Sequence, residues 1–337
     1  MRKASTISTI ALMAAGAMPA ATMADTFTFA HSFPPHHTVT TEGYEPWMAC
    51  VGEKLPGTTF THFPGGQIVK GPETLDGLVN GLADITAVMI GYVSSKLPLS
   101  GVAYLPGLGN DAAHVARAFE KTVRMAPVAD EFAANGIHPI WVYSMPVYQL
   151  VSSKGELHKP EDFNGKVLRS SGGAMTLTIS ALGAAPTEMP IGDLYVAMER
   201  GTVEGTMLSL SSIKPYNVET LMNAMSTNAS LGAYTVAVSM KTDKWQALSE
   251  ETRTALTECG LQAGERLSAF FDEEGQALTK EFADAGVSMY EFTPEELEWI
   301  NQAVAPVADD WVKRLEDRGA PAQEALDVYK KLLAETE

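Results

Sequence analysis

Short apolar runs typical of β-strands alternate along this chain with longer amphipathic runs typical of helices. The helix-like runs of the first half include a long one at 113–136 that ends in a glycine. The strand-like runs of the same half are TFTFA (26–30), TTFTHF (58–63), ITAVMI (85–90) and IHPIWVYS (137–144). Strands that alternate with helices favour an open, mainly parallel sheet with helices on both faces. The sequence therefore predicts an α/β fold.

The alternation begins again near Tyr148, with strand-like runs at 148–153, 166–171, 186–190 and 203–208. We expect YTVAVSM (234–240) to return to the first sheet, because no linker-like segment opens a third domain before it. A long amphipathic segment at about 243–285 and a mostly helical tail, broken near Gly319, follow it. Ligands of open α/β sheets bind beyond the carboxyl ends of the strands, so two such units predict a ligand cleft between them.

The first 24 residues have the order of segments found in secretory signal peptides. Arg2 and Lys3 precede a mostly apolar stretch at 7–18, and small residues follow up to Ala24. The apolar stretch is too short for a permanent transmembrane helix, which needs about 20 residues. We therefore expect cleavage after Ala24 and export of the mature chain. No cysteine lies at this position, so a lipid anchor there is not expected.

The chain is strongly acidic, with a formal net charge of −17. Residues 1–24 carry two basic and no acidic side chains, so their removal lowers the charge by two, to −19. Nucleic acids and anionic membrane surfaces are bound through clustered Lys and Arg. We therefore expect neither as a partner. A site for a small anion would have to be locally positive.

The two cysteines, Cys50 and Cys259, are far apart in the sequence. An oxidising compartment would permit a bridge between them. Both lie in helix-like stretches and a single pair does not make a disulfide framework, so the expectation is two buried free thiols, with a bridge as the alternative. Neither cysteine has the spacing of a metal site.

Arg169 has the clearest chemical signature in the chain. It ends the apolar run VLR and is followed by Ser170, Ser171 and two glycines, after which a helix begins. A guanidinium group binds a carboxylate through two parallel hydrogen bonds, and a helix N-terminus adds partial positive charge. The glycines let the backbone approach a ligand closely. The position therefore suits a bound carboxylate, and a surface arginine in a structural ion pair is the alternative.

A series of short motifs surrounds Arg169 in a fixed order: Pro160–Asp162, Gly165–Arg169, Leu182–Ala184, Pro186, Met189, Asp193–Met198 and Gly201–Gly205. Earlier, PGGQIVKGPETLDGLVNGLADI (64–85) and later VAVSMKTDKWQALSEETR (236–253) continue the series. Together these motifs resemble the substrate-binding proteins of TRAP transporters, the tripartite ATP-independent periplasmic systems for organic acids. The resemblance extends over the whole mature chain, and Arg169 matches the arginine that binds the ligand carboxylate in that family.

The resemblance implies a two-lobed periplasmic binding protein of the type II kind, with a hinge, a ligand cleft and a long helix that spans both lobes. The first lobe would comprise 25–146 and about 234–272, and the second 147–233 and about 273–300. The remainder, about 301–337, would be a helical segment that packs across the lobes. The resemblance also implies a periplasmic location, TRAP membrane permease subunits as partners, and no cofactor.

Two departures from the family pattern bear on the ligand. Thr206–Ser209 stand where sugar-acid binders have an asparagine, and no second arginine precedes the first at Met145–Gln149. The pocket is therefore expected to be less polar, with Tyr148, Met207, Leu208, and Tyr92 or Trp47 as walls and Ser170, Ser171 and Ser209 as polar contacts. The expected ligand is a monocarboxylate with an aromatic or branched body. A C4-dicarboxylate, its second carboxylate held by histidine or backbone amides, is the alternative.

The stretch HSFPPHHT (31–38) carries three of the seven histidines. Its prolines restrict the loop, and the loop follows the first strand, so we expect His36 or His37 to donate a hydrogen bond to the bound acid. A turn with solvent-facing histidines is the alternative. A secreted zinc-capture protein that uses His36 or His37 is a further alternative, although the other histidines lack ligand spacing. No GxSxG or HExxH motif occurs, and we expect no enzymatic activity.

Overall fold

The structure, a computed structural model, describes residues 25–109 and 111–336. The predicted signal peptide and its cleavage after Ala24 lie outside the described residues. The strands are β1 (Thr26–Ala30), β2 (Thr59–Phe63), β3 (Ile85–Met89), β4 (Ile137–Ser144), β5 (Gln149–Ser152), β6 (Val167–Ser170), β7 (Ala185–Glu188), β8 (Gly205–Leu208), β9 (Ala224–Ser226), β10 (Thr235–Lys241) and β11 (Ser288–Tyr290).

The helices differ widely in length. They are α1 (Glu45–Lys54), α2 (Thr74–Val79), α3 (Ala112–Thr122), α4 (Val128–Ala134), α5 (Pro160–Phe163), α6 (Ala174–Ala181), α7 (Leu194–Glu199), α8 (Thr242–Ala247), α9 (Glu250–Asp284), α10 (Pro294–Val304), α11 (Pro306–Glu316) and α12 (Ala322–Glu335). Short helical turns that matter for the site lie at Ile90–Val93, Leu99–Tyr104, Leu210–Ser212 and Lys214–Tyr216.

The strands form two sheets. The first has the order β2-β1-β3-β10-β4, and the second has the order β11-β9-β5-β8-β6-β7. Helices cover the sheets, as α3 does at β4 and α6 does at β7. We call the unit built on the first sheet lobe 1 and the unit built on the second sheet lobe 2. The predicted two-lobed α/β fold is confirmed.

Short connections carry the chain from one sheet to the other at 145–148 and at 227–234. The strands that receive the chain, β5 and β10, are antiparallel to their neighbours. The other strand pairs are parallel. These two strands are antiparallel to their neighbours because the chain enters each sheet from the side of the other lobe. Both sheets are therefore mixed, where the alternation of elements predicts mainly parallel ones.

The 35-residue helix α9 connects the two lobes. At 1.5 Å per residue it is about 50 Å long. It packs against α1, α3 and β4 on one side and reaches β11 on the other. Ser249 caps its N-terminus by accepting the Thr252 N–H. The predicted helix that spans both lobes is thus present, and it begins after a break that separates it from α8.

A disulfide bond joins Cys50 of α1 to Cys259 of α9, with the two Cα atoms 5.7 Å apart. The expectation of two free thiols was wrong. Helices α1 and α9 pack side by side, which brings together two cysteines separated by 209 residues in the sequence. Helical periodicity shows that each cysteine lies on a helix, but it does not show which helices are neighbours.

Trp47 belongs to the core of lobe 1 and does not line the cleft. Its side chain is fully buried, and its Nε1–H donates to the Leu256 carbonyl at 3.0 Å. The ring packs against Phe29 and Trp141, with centroids 5.3 and 5.9 Å away. The suggestion that Trp47 forms a wall of the binding site is therefore dropped.

The C-terminal helices contact both lobes. Helix α11 packs against α6 of lobe 2, and α12 packs against α3 of lobe 1. The exact residue boundaries of the lobes stay a prediction. None of the helices in the described residues combines the length and the apolar character needed to cross a bilayer.

Candidate functional site

Arg169 lies near the carboxyl end of β6, in register with Thr206 of β8 and Thr187 of β7. Only 1% of its surface is exposed. Its Nε donates to the Met189 carbonyl and its Nη2 to the Tyr92 hydroxyl, both at 2.9 Å. Within the described residues these partners are neutral, and no carboxylate forms an ion pair with Arg169. A buried charge without a counter-ion is costly, which points to an anionic ligand.

Four tyrosine rings pack together on the lobe 1 side of Arg169. They are Tyr92, Tyr104, Tyr148 and Tyr234, with neighbouring ring centroids 4.9–6.3 Å apart. We call them the tyrosine cluster. Tyr148 and Tyr234 lie in or beside the two connections between the sheets. The cluster is therefore at the hinge, and it provides aromatic surface next to the arginine.

Hydroxyl groups of the tyrosine cluster are available to an acceptor. Tyr234 is 3% exposed, and its hydroxyl has no hydrogen-bond partner in the described part of the chain. The Tyr92 oxygen accepts both from Arg169 and from the Ile191 N–H at 2.8 Å, so its own hydrogen is free to donate. Burial raises the pKa of Tyr234 well above its usual value, which keeps its proton in place at neutral pH.

Gly91 lets the backbone of lobe 1 pass directly beside the tyrosine cluster. A Cβ atom at this position would lie 2.8 Å from the Tyr234 ring and 3.1 Å from the Tyr104 hydroxyl. Any side chain would therefore displace the rings. The glycine keeps these rings beside Ser171 of lobe 2, whose hydroxyl would lie 3.2 Å from the same Cβ.

The two predicted serines after Arg169 have different surroundings. The Ser170 hydroxyl accepts the Gly172 N–H at 2.9 Å and bonds Thr176 at 2.8 Å, so it holds the turn into α6. The Ser171 hydroxyl lies 3.2 Å from the Tyr104 hydroxyl across the lobes. Only Ser171 therefore faces the tyrosine cluster.

The structure separates the two predicted histidines. His36 is exposed, whereas His37 is fully buried. The Val39 N–H donates to His37 Nδ1 at 3.2 Å, and His37 Nε2 lies 3.4 Å from the Ser212 hydroxyl of lobe 2. Burial lowers the pKa of His37 to about 3, so the ring is neutral. Because Nδ1 accepts a hydrogen bond, the proton of the neutral ring is on Nε2.

Three buried serines follow β8, and one of them, Ser212, contacts His37. The Ser209 hydroxyl lies 3.1 Å from that of Ser212 and 3.4 Å from that of Ser211. We call these three residues together with His37 the His37–serine cluster. The predicted contact Ser209 belongs to it, and Ser211 and Ser212 do so without having been predicted.

Tyr216 is near both Arg169 and the His37–serine cluster. Its ring centroid is 6.0 Å from that of His37. Burial and the neighbouring Tyr92 raise the pKa of Tyr216, while nearby Arg169 acts in the opposite direction. Tyr92 and Tyr216 also line an interlobe cavity of about 420 Å³ whose other walls include Gly65–Gly66 and Pro190–Asp193. The cavity borders the candidate site through Tyr92, which accepts a hydrogen bond from Arg169.

The two predicted apolar residues of β8 lie on opposite faces of the sheet. Thr206 is in register with Arg169, and successive side chains along a strand alternate. Leu208 therefore shares the face of Arg169, and Met207 points to the other face. Both are buried. Leu208 is a candidate wall of the site, while Met207 has the position of a core residue.

Sequence reasoning missed Tyr104, Tyr216, Tyr234, Ser211 and Ser212. Tyr234 is the first residue of the predicted strand YTVAVSM, and Ser212 follows a predicted strand by four residues, which is a signal that could have found them. Tyr104 lies in a helical turn at Leu99–Tyr104 with no such signal. No group of three His, Cys, Asp or Glu side chains in the described ranges is arranged to hold a metal ion.

Residues 29–314 match the family model described as bacterial extracellular solute-binding protein, family 7. Among curated relatives, the C4-dicarboxylate-binding periplasmic protein of Rhodobacter capsulatus is 27% identical over 50% of this chain and 51% of its own. The ectoine-binding periplasmic protein of Halomonas elongata is 22% identical over 79% of this chain and 78% of its own. The first four curated relatives are matched over only 36–51% of their own length.

Three solved structures share the fold. A TRAP solute-binding protein from a marine metagenome, specific for aromatic acids and bound to metahydroxyphenylacetate, has a TM-score of 0.86 at 20% identity, over 93% of this chain and 99% of its own. A TRAP solute-binding protein from Rhodoferax ferrireducens with copurified benzoate has a TM-score of 0.85 at 22% identity, over 92% of this chain and 98% of its own. A third, from Bordetella bronchiseptica with bound mandelate, has a TM-score of 0.81 at 20% identity, over 93% of this chain and 99% of its own.

Proposed function

The chain belongs to family 7 of the bacterial extracellular solute-binding proteins, and we propose that it is a receptor that captures a small organic carboxylate in the periplasm for a TRAP transporter. The ligand would bind between the lobes, and the closed form would be presented to the membrane permease subunits. The signal-peptide pattern of residues 1–24 supports export of the chain.

The observation that carries this proposal is the buried, unpaired guanidinium of Arg169. A carboxylate bound at Arg169 would remove the cost of an isolated buried charge and would gain charge-assisted hydrogen bonds. The free hydroxyls of Tyr92 and Tyr234 supply two further donors for its oxygens. Exclusion of water by the closed lobes would strengthen these interactions.

We assign the ligand to the monocarboxylates with an aromatic body. The tyrosine cluster and Tyr216 offer aromatic faces and edges beside Arg169, and rings pack well against such surfaces. Arg169 is the buried cationic side chain of the site, and Lys70 is an exposed one at the interlobe cavity. A second carboxylate buried at the His37–serine cluster would meet only neutral groups, at a cost of several kcal/mol. The benzoate and mandelate found in two structural relatives support the same class.

A C4-dicarboxylate is the second candidate. The relative from Rhodobacter capsulatus is named as a C4-dicarboxylate-binding protein, and the His37–serine cluster offers hydrogen-bond donors for a second carboxylate. These donors are neutral, so they would stabilise a carboxylate less than an arginine would.

Calorimetric titration of the purified mature protein tests the proposal. Benzoate, phenylacetate and mandelate should bind, succinate and malate should bind weakly or not at all, and Zn²⁺ and turnover assays should give no signal. Arg169→Ala should weaken arene-carboxylate binding by about 100-fold or more, because a buried charge partner is lost. Arg200→Ala, which removes an exposed arginine of the same lobe, is the matched control. Native affinity in Arg169→Ala would refute the role of Arg169.

A further inference from the structure

We propose that the His37–serine cluster is a second polar subsite that binds a hydroxyl group on the ligand ring, so that the preferred ligand is a hydroxyaryl carboxylate. This inference rests on the proposed function, because it assumes that the carboxylate is bound at Arg169.

The cluster lies where both lobes present their ligand-binding edges. His37 follows β1 of lobe 1, and Ser209, Ser211 and Ser212 follow β8 of lobe 2. Ligands in open α/β sheets bind beyond the carboxyl ends of such strands. All four side chains are at least 95% buried. Four buried polar side chains from the two lobes meet at this edge, where they can contact a ligand atom.

The hydrogen bonds within the cluster are long. The hydroxyl–hydroxyl distances are 3.1 and 3.4 Å, and Ser212 lies 3.4 Å from His37 Nε2. Hydroxyl groups normally approach to about 2.7–2.8 Å. Each hydroxyl can donate once and accept twice, so these contacts leave capacity unused. A ligand hydroxyl could donate to one serine while it accepts from another group.

His37 is fixed as a donor toward this subsite. The Val39 N–H occupies Nδ1, which leaves the ring proton on Nε2, the atom that faces Ser212. Its neighbours in the cluster are uncharged serines, and the Phe33 and Tyr216 rings pack against its edges. A neutral set of donors and acceptors matches a neutral hydroxyl better than a second carboxylate.

Arg169 and the serines of the His37–serine cluster lie on the same side of the cleft, on β6 and just after β8. Thr206 is in register with Arg169, and Ser209 lies three residues farther along the chain. At about 3.3 Å per residue this places Ser209 roughly 10 Å along the strand direction from the Arg169 backbone. Tyr216 is near both Arg169 and His37. A ligand with a carboxylate and a hydroxyl on opposite sides of an aromatic ring suits two polar ends with a tyrosine ring beside them.

One calorimetric experiment with matched ligands tests the hydroxyl-binding end of the site separately from the carboxylate-binding end. Benzoate, 3-methylbenzoate, 3-hydroxybenzoate and 4-hydroxybenzoate are titrated into the wild-type protein and into Ser212→Ala. One hydroxybenzoate should bind about 10-fold or more tighter than benzoate, as one or two buried hydrogen bonds require. The methyl compound, which fills similar space without a hydrogen bond, should not. In Ser212→Ala the preference for the hydroxybenzoate over benzoate should fall below about 3-fold.

A second pair of variants tests the donor. His37→Leu should lose the preference and His37→Gln, which keeps an N–H donor, should retain part of it. Ser95→Ala, at an exposed serine, is the control. The inference is overturned if the wild type shows no hydroxyl preference, or if Ser212→Ala and His37→Leu both keep it. If no arene carboxylate binds and succinate does, the proposed ligand class itself is wrong, which is a separate outcome.

Discussion

Arg169 is charged at every pH at which a protein normally folds, and its environment contains hydroxyls instead of a counter-ion. A permanent charge in such a place destabilises the ligand-free closed form. The same charge makes the site selective, since a neutral solute would leave it unpaired. The residue that makes the closed form costly without ligand is thus the residue that makes it stable with ligand.

Tyr234 allows a binding role to be separated from a structural one. Its unpaired buried hydroxyl is unfavourable in the ligand-free protein. Tyr234→Phe should therefore leave the ligand-free melting temperature unchanged or raise it. The same variant should weaken binding of benzoate by about 10- to 100-fold, the value of a hydrogen bond to a charged group. Melting curves and calorimetry measure the two effects.

Tyr329→Phe is the control for this prediction. Tyr329 of α12 is also fully buried with an unpaired hydroxyl among the described residues, and it is not part of the tyrosine cluster. It should change stability in the same direction without any change in affinity. Equal affinities in wild type and Tyr234→Phe would remove Tyr234 from the site.

At the scale of elements, α9 meets lobe 1 through a glycine. A Cβ atom at Gly260 would lie 2.4 Å from the Trp141 ring, whereas one at Gly275 of the same helix would have open space. Gly260→Ala should lower the free energy of unfolding by about 1–3 kcal/mol through overpacking. Gly275→Ala should raise it by about 0.5–1 kcal/mol through helix propensity. Urea unfolding measures both, and equal signs would contradict the packing.

His158 joins the segment before α5 to α10. Its Nε2 lies 2.5 Å from Glu156, and its Nδ1 lies 3.0 Å from Glu296. The bond to Glu156, followed by that to Glu296, raises the pKa of His158 despite some burial. Protonated His158 therefore stabilises the fold fully below its unfolded pKa of about 6.5, and this contribution is lost as the pH rises through the higher folded value.

The destabilisation caused by His158→Gln should consequently be larger at about pH 6 than at about pH 9. Urea unfolding of both proteins at both pH values measures the difference. His36→Gln, at an exposed histidine, should have little effect at either pH. A destabilisation by His158→Gln that does not change with pH would mean that the ring acts only through its packing against Tyr290.

Most elements could be predicted because their signals are local. TFTFA and IHPIWVYS coincide with β1 and β4. The run at 113–136 is two helices, α3 and α4, because Pro127 interrupts the helical hydrogen bonds. The three-residue strands β9 and β11 were not predicted, because a run of three residues is too short to show the two-residue alternation of a strand. Arg169 was predicted from its motif, and Tyr92 and Tyr148 were predicted as walls. The tyrosine cluster as a whole could not be predicted, because Tyr104 and Tyr234 join it only through the packing of separate segments.

At the scale of the molecule, Tyr92 of lobe 1 holds the lobes together by accepting hydrogen bonds from Arg169 and Ile191 of lobe 2. Tyr92→Phe should shift the ligand-free protein toward an open form, because both donors lose their acceptor. Small-angle X-ray scattering should give a larger radius of gyration for this variant without ligand, and saturating benzoate should reduce it. Tyr195→Phe on α7 is the control, and an unchanged radius in Tyr92→Phe would contradict the prediction.

The place of β10 between β3 and β4 has a consequence for how the protein matures. Neither β3 nor β4 can pair on that side until the chain has been made as far as residue 241, and Cys50 must wait for Cys259. Lobe 2 has five of its six strands within residues 149–226. Lobe 1, which begins first, therefore cannot close its sheet until five of the six lobe 2 strands have been made, and its half-formed sheet is the part of the new chain that needs protection from aggregation.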